Sequence, residues 1–170
     1  MNIKIIGAVF VFISCAGVGF RIAANYKREE RSLRQLVNAL DYMECELQYR
    51  LTPLPTLCRY TASQSAGIIR SVFLSLATEL EDQVHPDVWH CMASVLGKAK
   101  DLPELTMQAL ESLGRSLGRF DIDGQLKGLE AVRTECRRLL NELTSNRDVR
   151  VKSYQTLGLC AGAAMAILFI

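Results

Sequence analysis

From Arg119 to Glu130 the chain reads RFDIDGQLKGLE, and its carboxylates fall on the spacing of a calcium-binding helix-loop-helix. Laid on that loop, Asp121 and Asp123 take the third and fifth positions, Gly124 the turn, Leu126 the apolar eighth and Glu130 the bidentate twelfth. The first position, where a carboxylate must grip the ion, is Arg119, and Lys127 stands at the ninth. Two fixed cations in a cation cage defeat it. The same residues make a tight helix-helix turn. Gly118 can adopt the left-handed conformation just past one helix, Phe120 packs in the corner, and Asp121 caps the next. Asp123 then brings negative charge to the positive end of that helix dipole.

Other groups with chemical potential do not assemble. His85 and His90 are the only histidines, and their spacing on a proline-started helix does not put two imidazoles on one face as i, i+4 ligands require. His90 and Cys91 are neighbours, so on a helix their side chains diverge by about 100° and a thiol-imidazole pair is not made. Glu79-Leu80-Glu81-Asp82 reads as a solvated helix end, and Trp89 with the Leu/Met stripes as core. Phosphate-cradling glycine loops, nucleophile elbows and His-Glu-x-x-His do not occur in the sequence. No enzyme, metal or cofactor is expected.

The composition narrows the class. Twenty basic and 18 acidic residues are intermixed, for a net charge of +2, so no basic stripe is available to follow a phosphate backbone. Cys45, Cys58, Cys91 and Cys136 are scattered, Cys15 and Cys160 lie in apolar runs, and no Cys-x-x-Cys exists. That pattern favours reduced thiols in a reducing compartment. The 49% hydrophobic content exceeds what one soluble domain of 170 residues requires, which places part of the chain in lipid.

Two segments carry that surplus. Ile5 to Ala24 reads IIGAVFVFISCAGVGFRIAA, and about 20 helical residues match a hydrocarbon core of about 30 Å. Arg21 can snorkel, Tyr26 suits the interface, and Lys27, Arg28, Arg31 and Arg34 follow, so the positive-inside rule puts the rest of the chain in the cytoplasm. LGLCAGAAMAILFI, from Leu157 to Ile170, is shorter. Begun at Ser153, with Tyr154 as its interfacial anchor and local thinning of the bilayer, it is expected to span as well. Gly158-x-x-x-Gly162 suits close packing against Cys15 and Gly19 of the first segment. The expected division is an N-terminal transmembrane helix at 1–24, a cytoplasmic helical bundle at 25–152 and a C-terminal transmembrane helix at 153–170. A competing reading makes the first run a signal sequence cleaved before Cys15, giving an exported lipoprotein or membrane-anchored helical binding module.

Between the apolar ends, three-four spacing recurs and no strand-like alternation persists. The fold class expected is all-α, an antiparallel bundle of about six helices. Leu33, Leu36, Val37, Leu40, Met43 and Leu47 form one stripe, with Glu30–Arg34 and Glu46–Arg50 pairing outside it. Thr52 is expected to cap a second helix opened by Pro53, followed by a polar break from Thr61 to Gly67. Ile68, Ile69, Val72, Phe73, Leu76 and Leu80 mark a third helix. Pro86 opens a fourth, Asp101 caps a fifth, and Ile122 through Leu143 hold one face of a sixth. Its turn with the fifth forms the far tip, where Arg115, Arg119, Asp121, Asp123 and Gln125 present a candidate partner-binding surface.

Four stretches resemble one family: IIGAVFVFISCAGVGF at the start, LRQLVNALDYMECELQYRLTPL at Leu33 to Leu54, LGRSLGRFDIDGQ at Leu113 to Gln125, and YQTLGLCAGAAMAILFI at the end. Together they look like the stage III sporulation protein AB family of endospore-forming bacteria. The resemblance implies a membrane component of the channel-like complex linking mother cell and forespore. It also implies a helical domain similar to the cytoplasmic domain of type II secretion and type IV pilus inner-membrane platform proteins. By that analogy the partner is the secretion-type ATPase encoded alongside, with other channel subunits and copies of the chain itself as neighbours in the membrane.

Overall fold

The computed structural model describes residues 2–83, 85–118, 121–145, 156 and 160, with side chains placed for Arg21 and from residue 24 onward. Among the described residues there are six α-helices and no strand: α1 (Asn2–Arg50), α2 (Leu54–Gln64), α3 (Gly67–Glu81), α4 (Val88–Lys98), α5 (Glu104–Ser116) and α6 (Ile122–Ser145). The chain divides into two compact units, Met1–Arg28 with Glu142–Ile170, and Glu29–Asn141. The second unit is the all-α bundle.

Its core forms where the spacing predicts. Leu33, Leu36, Leu40 and Met43 of α1 are fully buried, as are Leu57 of α2, Ile69, Phe73 and Leu76 of α3, Met92 of α4 and Leu113 of α5. On α5, however, Leu110 is fully buried off the expected stripe, while Leu105 on it is only half-buried. Each such side chain contributes roughly 1.5–3 kcal/mol on leaving water.

Polar contacts tie neighbouring helices. Arg133 of α6 reaches Asp41 at 3.3 Å and also pairs with Glu44, and Arg137 binds Asp41 at 3.1 Å, so α6 runs antiparallel to α1. Arg59 Nε donates to Glu81 across α2 and α3 at 3.2 Å. Glu30–Arg34 (3.2 Å) and Glu46–Arg50 (3.4 Å) pair as their i, i+4 spacing predicts. Glu46, however, is buried rather than on the outer face.

The helix ends depart from expectation in four places, each for a local reason. Thr52 does not cap α2; its hydroxyl donates to Glu46 at 3.3 Å, and Pro53, which has no N–H to satisfy, occupies the N-cap. The predicted polar break from Thr61 to Gly67 is mostly helix. Thr61 is buried because its hydroxyl donates to the Leu57 carbonyl at 2.8 Å, so α2 continues to Gln64. Asp87, not Pro86, defines the start of α4 by accepting the His90 N–H at 2.8 Å.

The fourth departure lies at α5, where the N-cap is Pro103 rather than Asp101. The capping oxygen comes from α1: Glu29 accepts the Thr106 N–H at 3.0 Å and the Thr106 hydroxyl at 3.4 Å. Burial pushes the Glu29 carboxyl above its ordinary range, against the lowering effect of those donors.

Among the described residues no helix is long and apolar enough to cross a membrane. Of the first expected span, the backbone from Ile5 to Ala24 is helical within α1. The side chain of Cys15 lies outside the described residues, as do Gly158, Gly162 and most of 153–170, and with them the packing expected against Gly19.

Candidate interaction surface at the α5–α6 end

Three glycines bring helices together at this end. Gly114 is buried on α5, and a Cβ there would stand 2.8 Å from Met92 Cβ and 3.7 Å from Trp89 Cε3. Gly118 takes φ +73°, ending α5 in the left-handed conformation, and an added Cβ would fall 2.4 Å from Val88 Cγ2 and 3.8 Å from Leu54. Gly128 of α6 sits so close to α5 that its Cβ would meet Ser116 Cβ at 2.5 Å. The stretch Leu113-Gly114-x-x-Leu117-Gly118 therefore serves contact: both leucines are fully buried and both glycines admit a neighbouring helix.

Past the turn, Asp121 Oδ1 accepts the Gly124 N–H at 3.1 Å and its carbonyl accepts the Gln125 N–H at 2.9 Å. Asp121 is thus the α6 cap, as the plain turn reading expects. Asp123 is exposed in the first turn of α6. Gln125 is half-buried. Arg119 lies outside the described residues, with Phe120. Of the candidate surface residues, Arg115, Asp121, Asp123 and Gln125 are therefore placed at one end of the bundle.

Arg115 has an unforeseen neighbour. Its guanidinium carbon lies 4.5 Å from the centroid of the Trp89 ring, in cation-π geometry. Trp89 is half-buried rather than core. No periodic signal links α4 and α5 in this way, because the contact depends on the Gly114 approach. The same end carries exposed apolar side chains at the termini of α1 and α6: Tyr49 (77%), Leu51 (62%) and Ile122 (41%). Leu51 adopts φ +51°, a left-handed conformation uncommon for a branched residue. Ile122 was the one member of the α6 stripe expected inside that the structure exposes to this extent.

Two other clusters differ from their sequence reading. His85 and His90 stand with ring centroids 6.3 Å apart, since His85 belongs to the turn before α4, where helical spacing does not apply. His90 Nδ1 is 2.7 Å from Asp87 Oδ1. Among the described residues no group of three or more metal-ligating side chains is assembled. Glu79, expected at a solvated helix end, is buried and accepts Lys98 Nζ at 2.6 Å and Ser94 Oγ at 3.0 Å. Burial raises its carboxyl, but those donors outweigh that and hold it below the usual range.

An open groove of about 320 Å³ lies between α5 and α6, lined chiefly by Leu105, Ala109, Val132 and Leu139. Neither Ser116 nor Gly128, where the two helices approach closely, lines it.

Comparison with known proteins adds three findings. A family model described as Stage III sporulation protein AB matches residues 4–170. Over 170 residues the chain is 25% identical to Stage III sporulation protein AB of Bacillus subtilis (strain 168), covering 99% of each sequence. A solved structure of Stage III sporulation protein AB (SpoIIIAB) has the same fold at a TM-score of 0.63, with 24% identity over 72% of this chain and 98% of that one.

Proposed function

Because the chain belongs to the stage III sporulation protein AB family, we propose that it acts in sporulation as a non-enzymatic platform in the mother-cell channel complex, docking a secretion-type ATPase. Its apolar ends hold it in the mother-cell membrane facing the forespore, and the bundle faces the cytoplasm. Other channel subunits and further copies of the chain surround it there.

The observation that carries the docking reading is the composition of the α5–α6 end. An exposed arginine stacked on tryptophan, Asp123 in the open, and uncovered Tyr49, Leu51 and Ile122 are gathered at one end. Interfaces concentrate their binding energy in such arginine and aromatic anchors, and bare aliphatics at one pole of a monomer are costly without a partner.

Co-sedimentation of the full chain in lipid nanodiscs with the purified ATPase tests this reading. Binding is expected for the native chain and is lost when Arg115, Arg119 and Asp123 are replaced together by alanine. Unchanged binding of the triple variant removes this end of the bundle from the interface; no binding of the native chain removes the docking role.

A further inference from the structure

We infer that the Arg115–Trp89 pair is a receptor for a carboxylate side chain, and that the protein docking at this end presents an acidic residue flanked by apolar ones. The inference rests on the docking reading above and specifies its chemistry.

The first observation is that Arg115 declines an available partner. Glu111 stands one turn earlier on α5, at the spacing that pairs Glu30 with Arg34 and Glu46 with Arg50 in this same chain. Arg34, Arg50, Arg59, Arg133, Arg137 and Arg138 each bind a carboxylate. Arg115 makes no ion pair among the described residues and lies instead against Trp89.

Stacking has a chemical consequence. The ring lies under the guanidinium at 4.5 Å, which restrains the side chain and occupies none of its N–H donors with a carboxylate. Held this way, the fork meets a carboxylate in bidentate fashion with little further loss of side-chain freedom. A lysine at the same place supplies charge but neither the plane nor the fork.

The surroundings select among anions. Asp121 and Asp123 are exposed at the same end and limit its positive charge, so it suits a single carboxylate better than a polyphosphate or an anionic bilayer, which need several cations. The uncovered Leu51, Tyr49 and Ile122 give an apolar partner segment area to bury around that contact.

Trp89 is the only tryptophan, so 5-fluorotryptophan incorporation gives one fluorine resonance located at the proposed receptor. The full chain in nanodiscs is titrated with unlabelled ATPase, and co-sedimentation is measured in parallel. Binding should shift that resonance. Arg115→Glu should weaken binding at least about tenfold and Arg115→Lys nearly as much, as expected for a lost charge-assisted fork, while Lys127→Glu leaves it within about twofold. ATPase that co-sediments with the native chain and with Arg115→Glu alike, with no shift at Trp89, overturns the carboxylate receptor and leaves the docking role intact. Failure of the native chain to bind overturns both.

Discussion

The guanidinium of Arg115 rests 4.5 Å above the Trp89 ring because a residue without a side chain, Gly114, stands between their helices. A methyl group there would come within 2.8 Å of Met92 Cβ, a backbone-proximal atom that moves only if α4 moves. Gly114→Ala is expected to cost about 1–3 kcal/mol through overpacking. It should also change the emission of Trp89 in the folded protein; a variant with native stability and unaltered emission would show that the close approach is unimportant.

Gly118 carries two constraints, its left-handed φ of +73° and the Val88 methyl 2.4 Å from any added Cβ. Gly118→Ala should therefore destabilise by about 2–4 kcal/mol, strain and overpacking together. Combining it with Val88→Ala relieves only the steric part. A thermal melt of the double variant equal to that of Val88→Ala alone would contradict the conformational part.

Arg133 is four-fifths buried between Asp41 and Glu44. Arg133→Ala leaves Glu44 without its cation, while Asp41 keeps Arg137, and is expected to cost about 1–3 kcal/mol, less than the ~3–5 of a fully buried pair. Glu44→Gln in the same chain should recover part of that loss. If it adds to it instead, the three groups do not form a network.

Two carboxylates impose opposite pH dependences. The Glu79 carboxyl is lowered below 4.5 by Lys98 and Ser94 acting against burial, so its contribution is present above 4.5 and disappears as pH falls through its folded-state value. The Glu29 carboxyl is raised by burial, so its contribution is full below 4.5 and is lost as pH rises through its folded-state value. Melting curves at pH 4 and pH 7 check this. Relative to the native chain, Glu79→Gln should lose more stability at pH 7 than at pH 4, and Glu29→Gln should lose less at pH 7 than at pH 4.

Much of the fold is legible in the spacing of apolar residues. The α1 stripe from Leu33 to Leu47 and the α3 run from Ile69 to Leu76 are buried as read, and Gly118 and Asp121 end one helix and begin the next as their chemistry dictates. What escapes is set by distant residues. Nothing local to Pro103 reveals that Glu29 will cap α5, and Thr61 looks polar until its hydroxyl finds the Leu57 carbonyl. Glu79 appears solvated until α4 brings Ser94 and Lys98 to it. The candidate surface residues are readable as polar groups near a turn. That Arg115 is stacked, and Leu51 and Ile122 uncovered, depends on how three helices cross at glycines.

The thiols provide the most direct test of the orientation on which the proposed platform role depends. Cys58 and Cys91 are fully buried, and burial pushes the Cys58 thiol up to about 12, so neither reports on compartment. Cys45 of α1 is exposed on the bundle. Sporulating cells are treated with a membrane-impermeant maleimide, intact or after lysis, and the Gln35–Arg50 tryptic peptide is analysed by mass spectrometry. A cytoplasmic bundle predicts that Cys45 is modified only after lysis. Modification of Cys45 in intact cells would place the bundle outside the membrane and contradict a platform that docks a cytoplasmic ATPase.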